Sequence, residues 1–424
     1  MKQLIIDALN EVGVSLWRIN RTCEESAELF FVKRRLDLRR KKETETFALT
    51  VYRDFEKDGK QMRGTSRVSF VPGTTKEEAV KAIKDAYYAA SFVANPTFEM
   101  PQKQTCDFSD PLSSLSCEES AMEMAKALYS AEGNTESFIN SSEIFVSKIV
   151  KSVYTSYGTS VTFAQFDVNG EFVVQCKEPE DVEMHQAFAY DKVDGEALKS
   201  KAADALRFVR DRAKAAPVLK GGTYSVILSD GHVRELLSYF LSRADASAIY
   251  AGYSTYQIGC AVQEEEGKGE KLNLSLHATA PYSDTGVPMT DRALFENGKL
   301  ACIYGGDRFC SYLGVPMTGD YESFVCQNGT MSLDALKKEP DLHVVSFSDF
   351  QCDACTGQVG GEIRLAYFFD GKEVKAITGG SINGSISECK DGLLFSTERY
   401  HSLRFSGPKA VRLPSVRVAG ASEA

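Results

Sequence analysis

The chain has 424 residues, 43% of them hydrophobic, and a formal net charge of −10. That length suits two or three domains with sizeable cores, and the acidic balance opposes sequence-independent attraction to nucleic acid. No run approaches the ~18 consecutive apolar residues of a membrane span, and Asp7 brings acidity too early for a secretory leader, so a cytoplasmic location is expected.

In chain order, Gln3 to Val12 suit a short helix, while Leu29 to Leu38 and Thr46 to Arg53 are strand-like. The dense basic run Lys33 to Lys42 is followed by Glu43 and Glu45, and reads as a solvated strand and turn. Thr75-x-x-Glu78 is a capping box that opens a helix through Val93. Val80, Ile83, Tyr87 and Ala90 share one face of it, and Asn95-Pro96 ends it. Pro101 to Ser116 is linker-like, and Ser116-x-x-Glu119 caps a helix through Tyr129. Asn169-Gly170, flanked by strand-like Ser160 to Val168 and Glu171 to Cys176, predicts a hairpin with a type I′ turn. Gly195 to Ala215 is helical, with Leu198, Ala202, Leu206, Val209 and Ala213 as its apolar stripe.

Beyond Pro217 strand signals dominate. Tyr224 to Leu228 reads as a buried strand and Val233 to Arg243 as a helix. Leu272, Leu274 and Leu276 alternate with polar neighbours, and Ile363 to Phe369 is another strand. Asn297-Gly298, Asn328-Gly329, Asp370-Gly371, Asn383-Gly384 and Asp391-Gly392 are turn signals. The expected fold class is α+β, with N-terminal α+β domains at 1–105 and 106–217 and a β-rich domain of hairpins at 218–424.

Five histidines and eleven cysteines are scattered along the chain. Cys352-x-x-Cys355 is half of a zinc or redox pattern, with Cys326, His343 and Cys389 as candidate further ligands. Without a second CxxC or a paired His motif, the spacing reads as incidental. A Cys–His or Ser–His pair assembled in three dimensions, with His277, His343 or His401 as base, stays open. No Gly-x-Ser-x-Gly accompanies it. The Gly-Gly pairs lead into no Gly-Lys-Ser/Thr, so they are turns and not a phosphate loop.

In their order, several segments resemble the TldD/PmbA family, metallopeptidase-related proteins also called modulators of DNA gyrase. They are Lys220 to Ser229; Ser283-Asp-Thr-Gly286; Leu294-Phe-Glu-Asn-Gly298; Thr318-Gly319; Thr356-Gly357; Phe368-Phe-Asp-Gly371; Ile377 to Gly384; and Leu413-Pro to Gly420. TldD-like members of the family carry His-Glu-x-x-x-His on the helix after the first C-terminal strand, plus a late cysteine, and bind zinc. PmbA (TldE-like) members lack the motif and partner the catalytic chain. The three motif positions fall here on Ser238, Tyr239 and Arg243, and no cysteine follows Cys389. Ser and Tyr are poor neutral zinc ligands, and Arg243 puts a fixed positive charge where the cation belongs.

The resemblance therefore implies a noncatalytic, TldE/PmbA-like subunit of a zinc peptidase complex acting in proteolysis and peptide maturation. This chain would have no catalytic or metal-ligating residue of its own, and zinc would reside in a TldD-like partner subunit. An extended peptide would be held by strand addition, with Thr356, Gly357, Gly379 and Gly380 as the candidate groove. Nucleic acid and membrane are not expected partners, and a homo-oligomer stays open. Two other readings stand beside this one: a peptide-binding or gyrase-linked module without proteolysis, and an autonomous peptidase with an unrecognised site, such as one built from Cys352 and Cys355.

Overall fold

The computed structural model describes residues 1–133, 136–217, 220–337 and 341–420. Positions 218–219 and 421–424, at the two ends of the expected C-terminal segment, lie outside the described residues. Helix α1 (Lys2–Val12) ends on Gly13, whose φ of 82° needs no Cβ penalty. Strands β1 (Leu16–Val32) and β2 (Arg35–Lys57) form one long hairpin, followed by β3 (Lys60–Phe70), α2 (Lys76–Ala90) and the two-residue β4 (Asn95–Pro96). The Thr75–Glu78 capping box is present with both of its hydrogen bonds. After α3 (Cys117–Ser130) come β5 (Ser137–Thr155), β6 (Ser160–Cys176), β7 (Val182–Tyr190) and α4 (Gly195–Ala213).

The strands up to β7 make a single antiparallel sheet in the order β4-β3-β2-β1-β5-β6-β7, so β1 pairing with β5 joins residues on both sides of the 105/106 division. Helices α1 and α2 bury Ile5, Leu9 and Ile83 against Ile19, Leu49 and Val51. Helices α3 and α4 bury Met124, Leu128, Leu198 and Val209 against Leu29, Ile144, Val168 and Phe172.

Two local expectations are corrected here. Leu29 to Leu38 is not one strand, because the chain reverses at Lys33, whose φ is 52°. A reversal made without Gly or Asn leaves no turn signal in the sequence. Asn169-Gly170 is not a turn either: it sits mid-strand in β6, where Gly170 faces Ile144 on one side and Phe188 on the other. A Cβ on Gly170 would collide with the Glu143 carbonyl and the Phe188 ring, so glycine is required for close approach within the sheet.

The C-terminal half begins with β8 (Ala216–Pro217), β9 (Gly222–Ser229), α5 (Gly231–Arg243) and α6 (Ala246–Tyr250). Next are β10 (Leu274–His277), β11 (Arg292–Glu296), β12 (Lys299–Leu300), α7 (Asp307–Leu313), β13 (Ser323–Cys326) and α8 (Leu333–Leu336). Then follow β14 (Asp341–Cys352), β15 (Gln358–Phe369), β16 (Val374–Thr378), β17 (Ser381–Ser385), α9 (Ile386–Cys389) and β18 (Leu394–Phe395). The chain closes with β19 (Arg399–Ser402), β20 (Phe405–Pro408) and β21 (Ala410–Ala419). One sheet runs β12-β11-β10-β13-β20-β19. The other runs β14-β9-β21-β17-β15-β16-β8, and an added β14–β15 pairing closes β14, β9, β21, β17 and β15 into a barrel. Val226, Leu228, Leu236, Phe240, Phe295, Phe324, Phe405 and Val411 build the core shared by α5, the barrel and the second sheet.

Asn297-Gly298, both with positive φ, turns β11 into β12, and Asp370-Gly371 lies between β15 and β16. By contrast Asn383-Gly384 lies inside β17, and Asp391-Gly392 lies in a 3-10 turn. The architecture is α+β. Among the described residues no helix is long and apolar enough to cross a membrane.

Candidate functional site

Helix α5 positions the residues on which the sequence argument turns. Val233, Leu236, Leu237, Phe240 and Leu241 are buried on its inner face, which fixes the helix rotation and brings Ser238, Tyr239 and Arg243 to other faces. The Ser238 hydroxyl bonds back to the carbonyls of Arg234 (2.8 Å) and Glu235 (3.0 Å), so its hydrogen is held within its own helix. Arg243 Nη1 donates to the Tyr253 carbonyl at 2.7 Å and to the Cys355 carbonyl at 3.0 Å. Its guanidinium lies 5.6 Å from the Tyr239 ring centre and 5.3 Å from that of Tyr256, within cation–π range. Burial pushes the Tyr239 phenol above its ordinary value, so it remains protonated at neutral pH.

This donor set does not suit a divalent metal. One hydroxyl is engaged, one phenol is held protonated, and the third group is a permanent cation. Among the described residues, no group of three or more His, Cys, Asp or Glu is placed to hold a metal ion. His232, one of two ligand types near the motif, turns away: its Nδ1 meets the Ser229 carbonyl at 3.1 Å, and its ring packs edge-on against both Phe347 and Phe350. Burial lowers its pKa to about 4.

The Cys352/Cys355 pair gathers no ligand set. Cys355 is exposed in a turn, and burial, with Glu235 and Asp353 nearby, pushes the Cys352 thiol up to about 12. Such a thiol supplies little of the thiolate that metal binding and redox exchange require. Cys389 is buried and pushed up to about 12, while Cys326 lies on β13 in the other sheet. His343 is elsewhere, bonded to Ser229.

Thr356-Gly357 and Gly379-Gly380 do not converge on one groove. Asp353 Oδ1 accepts from the amides of Cys355 and Thr356 and from the Thr356 hydroxyl, which closes that turn on itself. Gly357, at φ 71°, has Tyr239 and Ile386 where a Cβ would point. Gly379 donates to the Ile363 carbonyl, and the Ile363 amide donates to Gly380. The two turns are thus separated along β15 by the run from Gly357 to Ile363, about 20 Å at the strand rise. Both use their backbone groups internally. A cavity of about 260 Å³ does adjoin Tyr239, between Tyr256, Cys260, Ile386 and Lys390.

The other histidines separate by environment. His277 meets Asp291 at 3.0 Å on the exposed surface, and His401 lies 3.8 Å from Asp191. Among the described residues, His343 alone meets a serine side chain: Ser229 Oγ lies 2.5 Å from its Nε2 across 114 residues of sequence. The sequence left a Ser–His pair with His343 open but did not name Ser229, since no local spacing connects a residue of β9 to one of β14. The residues that hold Arg243, namely Tyr253, Tyr256 and the Cys355 carbonyl, were also missed, and no signal short of the barrel topology could have found them.

Residues 221–423 match the PmbA/TldA metallopeptidase C-terminal domain. Over the whole length, the chain has the fold of TldE from Thermococcus kodakarensis, with a TM-score of 0.78 and 17% identity, covering 99% of this chain and 100% of that one. The C-terminal part of the chain therefore carries a TldD/PmbA-family domain. Two further structures described as modulators of DNA gyrase share the fold. The one from Thermotoga maritima has TM-score 0.77 and 16% identity, covering 99% of both chains. The one from Bacteroides thetaiotaomicron has TM-score 0.74 and 15% identity, covering 99% of this chain and 98% of the other. No curated protein matches the chain in sequence. At these identities the likeness establishes the family fold, and the chemistry has to be argued from the residues on α5.

Proposed function

We propose that this chain is the noncatalytic, TldE/PmbA-like subunit of a zinc peptidase complex, with the zinc held by a TldD-like homologue that carries His-Glu-x-x-x-His. The observation that carries this reading is the state of Arg243. At the third motif position stands a guanidinium bonded to two carbonyls and flanked by two tyrosine rings. Placing a divalent cation there would oppose a fixed positive charge at close range. Without a bound metal to lower the pKa of water, this helix supplies no hydroxide to attack a peptide bond. The chain would instead shape a shared chamber and hold extended peptide. The two separated glycine turns do not provide one groove for it, so any peptide would lie along strand edges elsewhere.

The test is reconstitution. The purified chain should hold well under one equivalent of zinc and show no peptidase activity. Mixed with its metal-bearing homologue, it should form a stable complex that cleaves peptide, with activity lost when the homologue's motif histidines are replaced and kept when Arg243→Lys is made here. One tightly bound zinc in this chain alone, or cleavage by it alone, overturns the proposal.

A further inference from the structure

At the opposite end of α5 lies a cavity of about 390 Å³, walled by α4 on one side and by β9, β14 and β15 on the other. Thirteen residues of helix separate it from Arg243, about 20 Å at 1.5 Å per residue, so it is distinct from the motif positions. Clefts between packed units with a few convergent polar groups are where small ligands bind.

Three features of this cavity are unusual for mere packing. First, Asp230, the residue joining β9 to α5, has φ 55° and ψ −122°, a region costly for any residue with a Cβ. An Asp at a helix start normally accepts a bond from the first turn, yet the Asp230 side chain makes no capping bond. Its carboxylate is instead 3.8 Å from Lys409 Nζ. Second, Lys409 Nζ is 3.6 Å from Asp204, so both carboxylates lie beyond hydrogen-bond distance and neither satisfies the ammonium donors. Third, Ser229 Oγ and His343 Nε2, 2.5 Å apart, both line the cavity. Burial, reinforced by Lys337, Lys409 and Arg207, lowers the His343 pKa to about 3. The imidazole is therefore neutral, with Lys337, Lys409 and Arg207 among its charged neighbours. Phe208, Val345, Phe369 and Val374 supply an apolar wall.

We infer that this cavity binds a small organic carboxylate with an apolar body, the carboxylate meeting Lys409 and the Ser229–His343 pair and the body lying against Phe208 and Phe369. A cationic ligand is disfavoured because it would approach Lys409, Arg207 and Lys337. Of the three aspartates on the lining, Asp204 is held by Arg207 at 2.9 Å and Asp341 by Arg412 at 3.0 Å. Burial raises the pKa of the third, Asp230, which weakens its pull on a second cation. The inference does not depend on the subunit reading above.

Calorimetric titration of the full chain with 4-phenylbutyrate, 4-phenylbutanol and 4-phenylbutylamine tests it. The carboxylate should bind at least tenfold more tightly than the alcohol and the amine, and Lys409→Gln should weaken it tenfold or more. Ser229→Ala, a smaller change, should weaken it severalfold, which keeps the test meaningful if Lys409→Gln fails to fold. Equal binding of all three compounds, tighter binding of the amine, no binding of the carboxylate at 10 mM, or an unchanged affinity in a folded Lys409→Gln protein each overturns the inference.

Discussion

The two ends of α5 are built on opposite terms. At its C-terminal end the motif side chains are held by local partners. Ser238 bonds its own helix, and Arg243 bonds two carbonyls and packs on two rings, although its buried Nε has no acceptor among the described residues. At its N-terminal end, Asp230 is strained and caps nothing, Lys409 is out of bonding distance of two carboxylates, and a neutral histidine faces a cavity. Polar groups that satisfy one another leave little for a ligand, whereas polarity left unmet in a cleft marks a place where something binds. In this chain the family's motif end is of the first kind, and a region with no motif is of the second.

The sharpest way to break that comparison is to remove what both ends share. Phe240 is fully buried on the inner face of α5, against Phe295. Phe240→Ala should cost about 3–5 kcal/mol by cavity formation, read as a lowered urea midpoint, and should disturb both ends together. Arg243→Met is more local. It unpairs the Tyr253 and Cys355 carbonyls and removes the cation–π contacts, for a loss of about 1–3 kcal/mol. Carboxylate binding at the far end should be unchanged. If Arg243→Met alters that binding, the two ends are not independent.

The pH dependence separates the ends further, with a sign fixed by the histidines. Unfolded, His343 takes up a proton near 6.5; folded, it stays neutral down to about 3, and His232 does so down to about 4. Between those limits the unfolded chain binds more protons, so stability falls as pH falls, by up to ~1.4 kcal/mol per unit for each group. Asp230 works in reverse, since a raised carboxyl pKa contributes stability that is lost as pH rises through it. Urea melts at pH 6.5, 5.5 and 4.5 should show an acid slope that flattens in His343→Gln. An identical slope in that variant would show that His343 is not held neutral by the fold.

Legibility followed the range of the interactions. The Thr75–Glu78 capping box, the α4 stripe and the Asn297-Gly298 turn are set by residues within a few positions of one another, and all three were read correctly from spacing. Asn169-Gly170 misled because a glycine needed for close approach between strands looks the same as one needed for a turn; Asn383-Gly384 also lies within a strand, where a Cβ on Gly384 would make only ordinary contact with Val416. That Ser238, Tyr239 and Arg243 stand at the motif positions on α5 is legible because a metal helix demands particular side chains at fixed intervals. The Ser229–His343 pair could not, because the 114 residues between the partners are brought together only by β9 pairing in parallel with β14. The carbonyls that hold Arg243 belong to loops whose approach the helix pattern does not encode.

The smallest effect is expected far from α5, on the basic run of β2, which serves as the control for the comparison. Arg40 lies 3.6 Å from Glu28, Lys41 lies 3.4 Å from Glu25, Lys42 also contacts Glu28, and Arg39 reaches Glu118 at 2.5 Å. The run therefore carries its counterions in the neighbouring strand and helix, and the protein has little to gain by exchanging them for phosphates. These pairs are largely solvent-exposed, so each contributes roughly 0.2–1 kcal/mol. Lys41→Ala should shift the urea midpoint by no more than that, with the shift shrinking further at high salt as screening sets in. Neither the parent chain nor the variant should retain duplex DNA at physiological ionic strength in a fluorescence anisotropy titration. Salt-sensitive DNA binding that Lys41→Ala weakens would mean that a surface already paired within the fold still holds charge in reserve, and the contrast between the two ends of α5 would then lose its physical basis.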